Sequence, residues 1–206
     1  MATDYQYDVF LSYLRERPCG PWVKSHFLPY FSHQLGNALN RPASVFFDQV
    51  EIHSGQKWPA RLKEALACSR CMVAVWSPLY FQSEWCQNEA AILLHRESVL
   101  GFGTTQKPNG LIVGLKVNDG KHFPPYAKFT QRGDFQEYYY DCPGFFQTPL
   151  HVDFQRKTAE FAEDVALIIK DAPVWSVEWL TPAWTDDIIA SIRMPKLPKV
   201  APPLLT

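Results

Sequence analysis

Trp85 and Glu89 stand four residues apart in Ser83-Glu84-Trp85-Cys86-Gln87-Asn88-Glu89. On a helix that spacing projects both side chains from one face, so they converge on the same volume. A carboxylate beside an indole plane can hold a sugar while the aromatic stacks on a ring. Taken alone, Glu89 reads first as a solvated helix acid and Trp85 as core packing. Cys86, between them, has no neighbouring base or basic cluster to lower its pKa and reads as a small buried hydrophobe rather than a nucleophile. Cys68 and Cys71 have the C-x-x-C spacing, but no second pair or nearby His completes a zinc site. They read as one cysteine ending a helix and another opening a strand. The six histidines are scattered, with no metal spacing and no Ser/His/Asp order, and no G-x-G-x-x-G run offers a dinucleotide cradle. No metal site is expected.

The elements that must position such a pair follow from periodicity. Tyr7-Asp8-Val9-Phe10-Leu11-Ser12-Tyr13 predicts a buried strand. Val23, Phe27, Phe31, Leu35 and Leu39 recur every four residues and predict a helix over 22–39, with Pro29 predicting a kink or a late start. Ser44-Val45-Phe46-Phe47 predicts a second strand, and 58–67 a helix with Pro59 in its first turn. Cys71-Met72-Val73-Ala74-Val75-Trp76 is continuously apolar, as a central strand buried on both faces should be. Ser83 can cap a helix running to about His95, 111–117 predicts a fourth strand, and 154–170 an amphipathic helix. Strand and helix thus alternate, which predicts a parallel sheet with helices on both faces. Ligands in such sheets collect outside the carboxyl ends of strands, so the segments after Ser12, Phe47 and Ser77 are the places to look. The Pro, Gly and aromatic-rich segment 118–150 predicts a hidden short strand or helix ordered by its aromatics. Asp186 and Asp187 suit the start of a short helix.

The 206 residues carry Lys+Arg 20 against Asp+Glu 21, a net charge of −1, with no basic run. A nucleic-acid grip is therefore not expected. Residues 1–6 lack the pattern of a secretory signal, and no apolar run approaches the roughly 20 residues needed to cross a bilayer. The five cysteines show no paired framework, which fits a reducing cytoplasm. Pro195, Pro198, Pro202 and Pro203 mark an extended tail. The expected division is one domain over 1–172 and an extension or Pro-rich linker over 173–206 that can lead into a further domain.

Four stretches in order resemble the successive boxes of a TIR (Toll/interleukin-1 receptor) domain. They are Tyr7 through Tyr13; Val45-Phe46-Phe47-Asp48 with Ile52 and Gly55-Gln56-Lys57-Trp58; Ser69 through Tyr80; and Ser83 through Glu89. The resemblance covers residues 7–117, and the intact W-C-x-x-E places it nearer the bacterial and plant branch than the receptor adaptors. It implies a flavodoxin-like five-stranded parallel sheet with helices on both faces and, in the enzymatic members, hydrolysis or cyclisation of NAD⁺ with release of nicotinamide. Glu89 would then be the catalytic carboxylate and Trp85 a substrate contact. Breaking the nicotinamide–ribose bond passes through an oxocarbenium-like state, which a carboxylate near the ribose hydroxyls stabilises. The cationic leaving group needs no strong acid, so one carboxylate can suffice. The family also implies that Ser12 and Tyr13 line the pocket at the end of the first strand. Arg15 can reach a phosphate or belong to an exposed surface. Asp48 opens a loop, 48–58, that in the family covers the pocket and engages neighbouring subunits; Gly55 gives it backbone freedom and Lys57 could pair with a pyrophosphate. With a net charge of −1 the phosphates must be met locally. After Val117 the likeness is limited to room for a fifth strand and a last helix.

Two functions from different classes follow from the resemblance. The first is a cytoplasmic NAD⁺ glycohydrolase giving nicotinamide and ADP-ribose or a cyclic ADP-ribose. It would be switched on by self-association that completes each pocket with a neighbour's loop, in a bacterial immune, anti-phage effector served by a sensor domain or partner protein. NAD⁺ is then the substrate, and no cofactor, membrane or nucleic acid is expected. The second is a scaffold that only binds other TIR domains. The Trp85/Glu89 pair favours the first. A flavodoxin-like receiver or flavin carrier is disfavoured, because no acidic pocket or phosphate loop follows the first strand.

Overall fold

The computed structural model describes residues 4–48, 60–121 and 123–191. Five strands, β1 (Tyr7–Ser12), β2 (Val45–Phe46), β3 (Ser69–Trp76), β4 (Ile112–Lys116) and β5 (Gln131–Asp134), form one parallel sheet in the order β2-β1-β3-β4-β5. That order is the flavodoxin-like one. Alternate residues of each strand face opposite layers. Val9, Leu11, Val73, Val75, Val113 and Leu115 meet Trp22, Phe27, Phe31, Phe161 and Val165 on one side. Phe10, Met72, Ala74, Trp76 and Ile112 meet Leu62, Leu66, Ala90 and Leu93 on the other. Both faces of β3 are covered, which is why its sequence is apolar without interruption.

The first layer contains α1 (Cys19–Trp22), α2 (Leu28–Leu39) and α6 (Pro149–Lys170); the second contains α3 (Ala60–Ala67) and α4 (Glu84–Leu100). The expected helix over 22–39 is helical from Cys19, with a π turn at Val23–Phe27 and Pro29 in the first turn of α2. Pro29, which has no N–H to donate, falls where the π turn passes into α winding. The late start is thus a change of helical winding rather than a break. Ser83 caps α4 as expected, accepting from the Cys86 N–H at 3.4 Å, but the helix runs on to Leu100, where Gly101 at φ 72° ends it. A left-handed residue closes a helix at least cost when it has no Cβ.

Segment 118–150 holds α5 (Pro125–Thr130), β5 and two 3₁₀ turns, Gln136–Tyr138 and Pro143–Gln147. Its aromatics order it as expected: Phe135 and Phe145 are buried against the α2–α6 layer, and the Trp22 indole donates to the Tyr138 carbonyl at 2.8 Å. Residues 173–191 lie on the α3–α4 face, where α7 (Asp186–Ser191) meets α4, Asp186 pairs with Lys63, and the Trp175 indole donates to the Ala67 carbonyl. Among the described residues no helix is long and apolar enough to cross a membrane.

Gly114 in β4 has a packing role. A Cβ there would lie 2.0–2.4 Å from three ring carbons of the buried Trp76. Gly114→Ala is therefore expected to destabilise the domain by about 3 kcal/mol, the upper range for overpacking a rigid core site. A urea denaturation series would read this as a lowered midpoint at unchanged slope.

Candidate active site

In this strand order the crevice opens beyond the carboxyl ends of β1 and β3, where the connections diverge to opposite sides. Each element contributes there by its end. β1 stops at Ser12; β3 runs into a 3₁₀ turn, Tyr80–Gln82; and α4 starts at once and carries Glu89 in its second turn. The Ser12 hydroxyl donates to Glu89 Oε2 at 2.6 Å and lies 2.8 Å from the Tyr80 phenol. Glu89 is therefore not the solvated helix acid that its type alone suggests: it is 6% exposed.

Burial pushes the Glu89 carboxyl up to about 7; the Ser12 hydrogen bond and the Arg15 charge oppose that rise, and Asp48 adds to it. The α4 helix also buries Arg96 and Glu97, and both hydrogen-bond to backbone groups, although the Arg96 Nε is left without a hydrogen-bond partner. Arg96 donates to the Ser69 and Leu66 carbonyls, and Glu97 accepts from the Leu111 and Ile112 N–H groups. Of the two buried α4 carboxylates, Glu89 is the one that lines the cleft. With Tyr13, Arg15, Asp48, Trp85 and Cys86 it lines a cleft of about 130 Å³. Pockets that bury a whole drug-sized ligand hold roughly 300–1,000 Å³. The space within the described walls is smaller than such a ligand needs.

Asp48 also lines the cleft, and cations hold its carboxylate. Arg15 Nη2 lies 2.6 Å from one oxygen, and Arg61, from the first turn of α3, pairs with the other. The Tyr13 phenol donates to the Asp48 carbonyl at 2.9 Å, and its ring stacks on Phe47 with centroids 5.2 Å apart. Burial raises the Tyr13 phenol above its ordinary range, so it stays a neutral donor. Trp85 is half-buried, with part of its ring on the α3–α4 core and part on the cleft. Cys86 is buried and its thiol is pushed well above its ordinary pKa by burial, which removes the thiolate a nucleophile needs.

The structure thus brings Ser12, Tyr13, Arg15, Asp48, Trp85 and Glu89 together. Gly55 and Lys57 lie outside the described residues. Two participants escape the sequence reading. Arg61 sits in an ordinary helical stretch and reaches Asp48 only because α3 begins beside the end of β2; Tyr80 looks like any core aromatic. Cys68 and Cys71 are free and buried, and among the described residues no three His, Cys, Asp or Glu side chains converge as a metal site would need.

Fold and cleft define a flavodoxin-like α/β domain with a ligand crevice at its β1/β3 switch point. Residues 9–104 match the family model described as TIR domain, a stretch that contains every described residue of the cleft. It is 28% identical over 81 residues to a "Probable 2′ cyclic ADP-D-ribose synthase BdTIR" of Brachypodium distachyon, an alignment covering 39% of this chain and 36% of that protein. The chain thus spans about a third of that relative's length. Among solved structures, the TIR domains of the activated Roq1 resistosome directly recognizing the pathogen effector XopQ match with 23% identity and a TM-score of 0.37, covering 79% of this chain and 85% of that one. The fold assignment rests on the strand order and not on that likeness.

Proposed function

We propose that this TIR domain cleaves the nicotinamide–ribose bond of NAD⁺. The observation that carries the reading is the buried Glu89 carboxylate, held by Ser12 and bordering the switch-point cleft beside Trp85. The relative named as a cyclic ADP-ribose synthase supports it. In the reaction the C1′–N bond breaks and its electron pair leaves with the nicotinamide, cancelling the ring's formal charge. Ionised Glu89 stabilises the positive charge left on the ribose. Water then captures C1′ with loss of a proton, giving ADP-ribose; capture by a nucleophile of the same molecule gives a cyclic product instead. Trp85 offers a ring face to stack on. Arg15 and Arg61 bring positive charge to the diphosphate, and the planar fork of a guanidinium matches its anionic oxygens.

Self-association completes the pocket, and the domain, residues 1–172 with its extension over 173–206, is the effector part of a bacterial-type, cytoplasmic anti-phage system triggered by a sensor domain or partner. The deciding experiment incubates concentrated, assembled protein with NAD⁺ and chromatographs the products. Nicotinamide should appear with ADP-ribose or a cyclic isomer, and the second product decides between hydrolysis and cyclisation. An assembled sample that released none would leave a TIR scaffold as the function. Arg61→Ala should raise KM for NAD⁺ about ten-fold, the worth of one charge-assisted hydrogen bond, with kcat little changed. A fall in kcat at constant KM would place Arg61 outside substrate binding.

A further inference from the structure

We propose that Tyr80 is a positioning residue for Glu89: acting through the Ser12 hydroxyl, it fixes the single hydrogen that Ser12 can give and so holds the carboxylate in its working orientation. The inference rests on Glu89 being the working group of the cleft, but it can be tested without turnover.

Hydrogen counting sets the direction of the chain. Ser12 has one hydroxyl hydrogen, and it goes to Glu89 Oε2 at 2.6 Å. The 2.8 Å contact between Tyr80 and Ser12 must then be a donation from the phenol. Tyr80 is fully buried, and burial keeps its phenol protonated well above the ordinary range. It is thus a permanent donor, and the chain runs from Tyr80 through Ser12 to the carboxylate. A hydroxyl that is itself receiving a hydrogen bond donates more strongly. The phenol also lies 3.5 Å from the Cys86 carbonyl, too far to compete while Ser12 accepts. That carbonyl is the acceptor left to Tyr80 when Glu89 is protonated and the chain runs the other way.

The remaining groups facing this chain cannot replace it. Arg15 from the β1 loop and Asp48 after β2 act on Glu89 with opposite signs, and Tyr13 is engaged by the Asp48 carbonyl. Cys86, on the same helix, and Tyr126, on α5, are neighbours of Tyr80 whose own pKa values burial raises.

The test combines Tyr80→Phe, Ser12→Ala and the double variant. In protein with glutamate carboxyls labelled with carbon-13, the Glu89 resonance, identified by its loss in Glu89→Gln, is titrated by NMR. Tyr80→Phe should raise the Glu89 midpoint by about one pH unit, the worth of one hydrogen bond to a charge. In the Ser12→Ala background, Tyr80→Phe should produce no further shift. Where NAD⁺ is turned over, kcat at pH 7 should fall about five-fold with KM unchanged and recover by pH 9. An unmoved midpoint in folded Tyr80→Phe, or an equal shift with and without Ser12, would show that Tyr80 only packs. If Tyr80→Phe does not fold, Ser12→Ala alone decides: an unmoved midpoint there overturns the chain. Absence of nicotinamide with the expected NMR shifts would reject the NAD⁺ reading and keep the positioning role.

Discussion

Replacing Glu89 with Gln is expected to abolish nicotinamide release at every pH and, at the same time, to make the domain more stable above pH 7. The first effect follows from chemistry: a neutral amide cannot offset the positive charge on the ribose. Losing one preorganised electrostatic contact of this kind costs about 10²–10³ in rate or more. The second follows from linkage. The folded protein holds the Glu89 carboxyl at about 7 against an ordinary 4.5, with burial as the main cause. A raised carboxyl favours folding fully below the unfolded value, and that advantage is lost as pH climbs through 7. Above pH 7 the buried charge is carried at a net cost on the order of 3 kcal/mol, with the help of Ser12 and Arg15 already included. Gln carries no charge at any pH, and Ser12 can still donate to its amide oxygen. Thermal melts of wild type and variant should therefore nearly coincide near pH 5 and separate at pH 8, with the variant melting higher. Full turnover by Glu89→Gln would refute the catalytic assignment, and a pH-independent gap between the melts would refute the burial argument. A group that weakens the fold and serves the reaction is what a working carboxylate in a closed cleft should be.

How far the sequence could foresee this depends on which physical signal each residue carries. Ser12 and Asp48 are legible because they follow strands whose apolar runs are unmistakable, and the parallel-sheet rule then says where those ends point. Trp85 and Glu89 are legible because a four-residue spacing on a helix is a statement about direction. The chain Tyr80–Ser12–Glu89 is not legible, since a tyrosine followed by phenylalanine reads as core, and only coordinates reveal that its hydroxyl meets another one. Arg61 is hidden for a different reason: its partner Asp48 stands 13 positions earlier in the chain, and charge pairs between elements leave no periodicity. β5 is foreseen only as a strand or helix somewhere in 118–150, because Gln-Arg-Gly-Asp has neither an apolar run nor alternation to place it. As a strand that, among the described residues, pairs with β4 alone, it needs neither. Trp175, Trp179 and Trp184 likewise sit in short 3₁₀ or irregular stretches without a repeating face, so their packing is found only in three dimensions.

Those tryptophans lead to the second large effect: Trp179→Ala should cost about 3–5 kcal/mol. Arg96 is 1% exposed, and its guanidinium lies 4.0 Å from the centre of the Trp179 ring. Burial lowers its pKa to about 10, so it remains a cation at neutral pH. Two carbonyls, of Ser69 and Leu66, accept from it, but no described carboxylate pairs with it, and the indole face covers the charge. Removing the indole deletes a buried aromatic and a desolvated cation–π contact, and exposes the cation to water. Trp179→Phe keeps a ring face with a weaker quadrupole and should cost roughly half as much. Because Tyr5 donates to the Pro173 carbonyl and also lies beside Trp179, the same change should loosen residues 173–191, seen as faster proteolysis within that segment. Ser12 and Glu89 belong to the cleft end of the sheet, so turnover by the remaining folded protein should persist. If Trp179→Ala melted with wild type, Arg96 would have to be held by its two carbonyls alone, and the covering role assigned to the indole would be wrong.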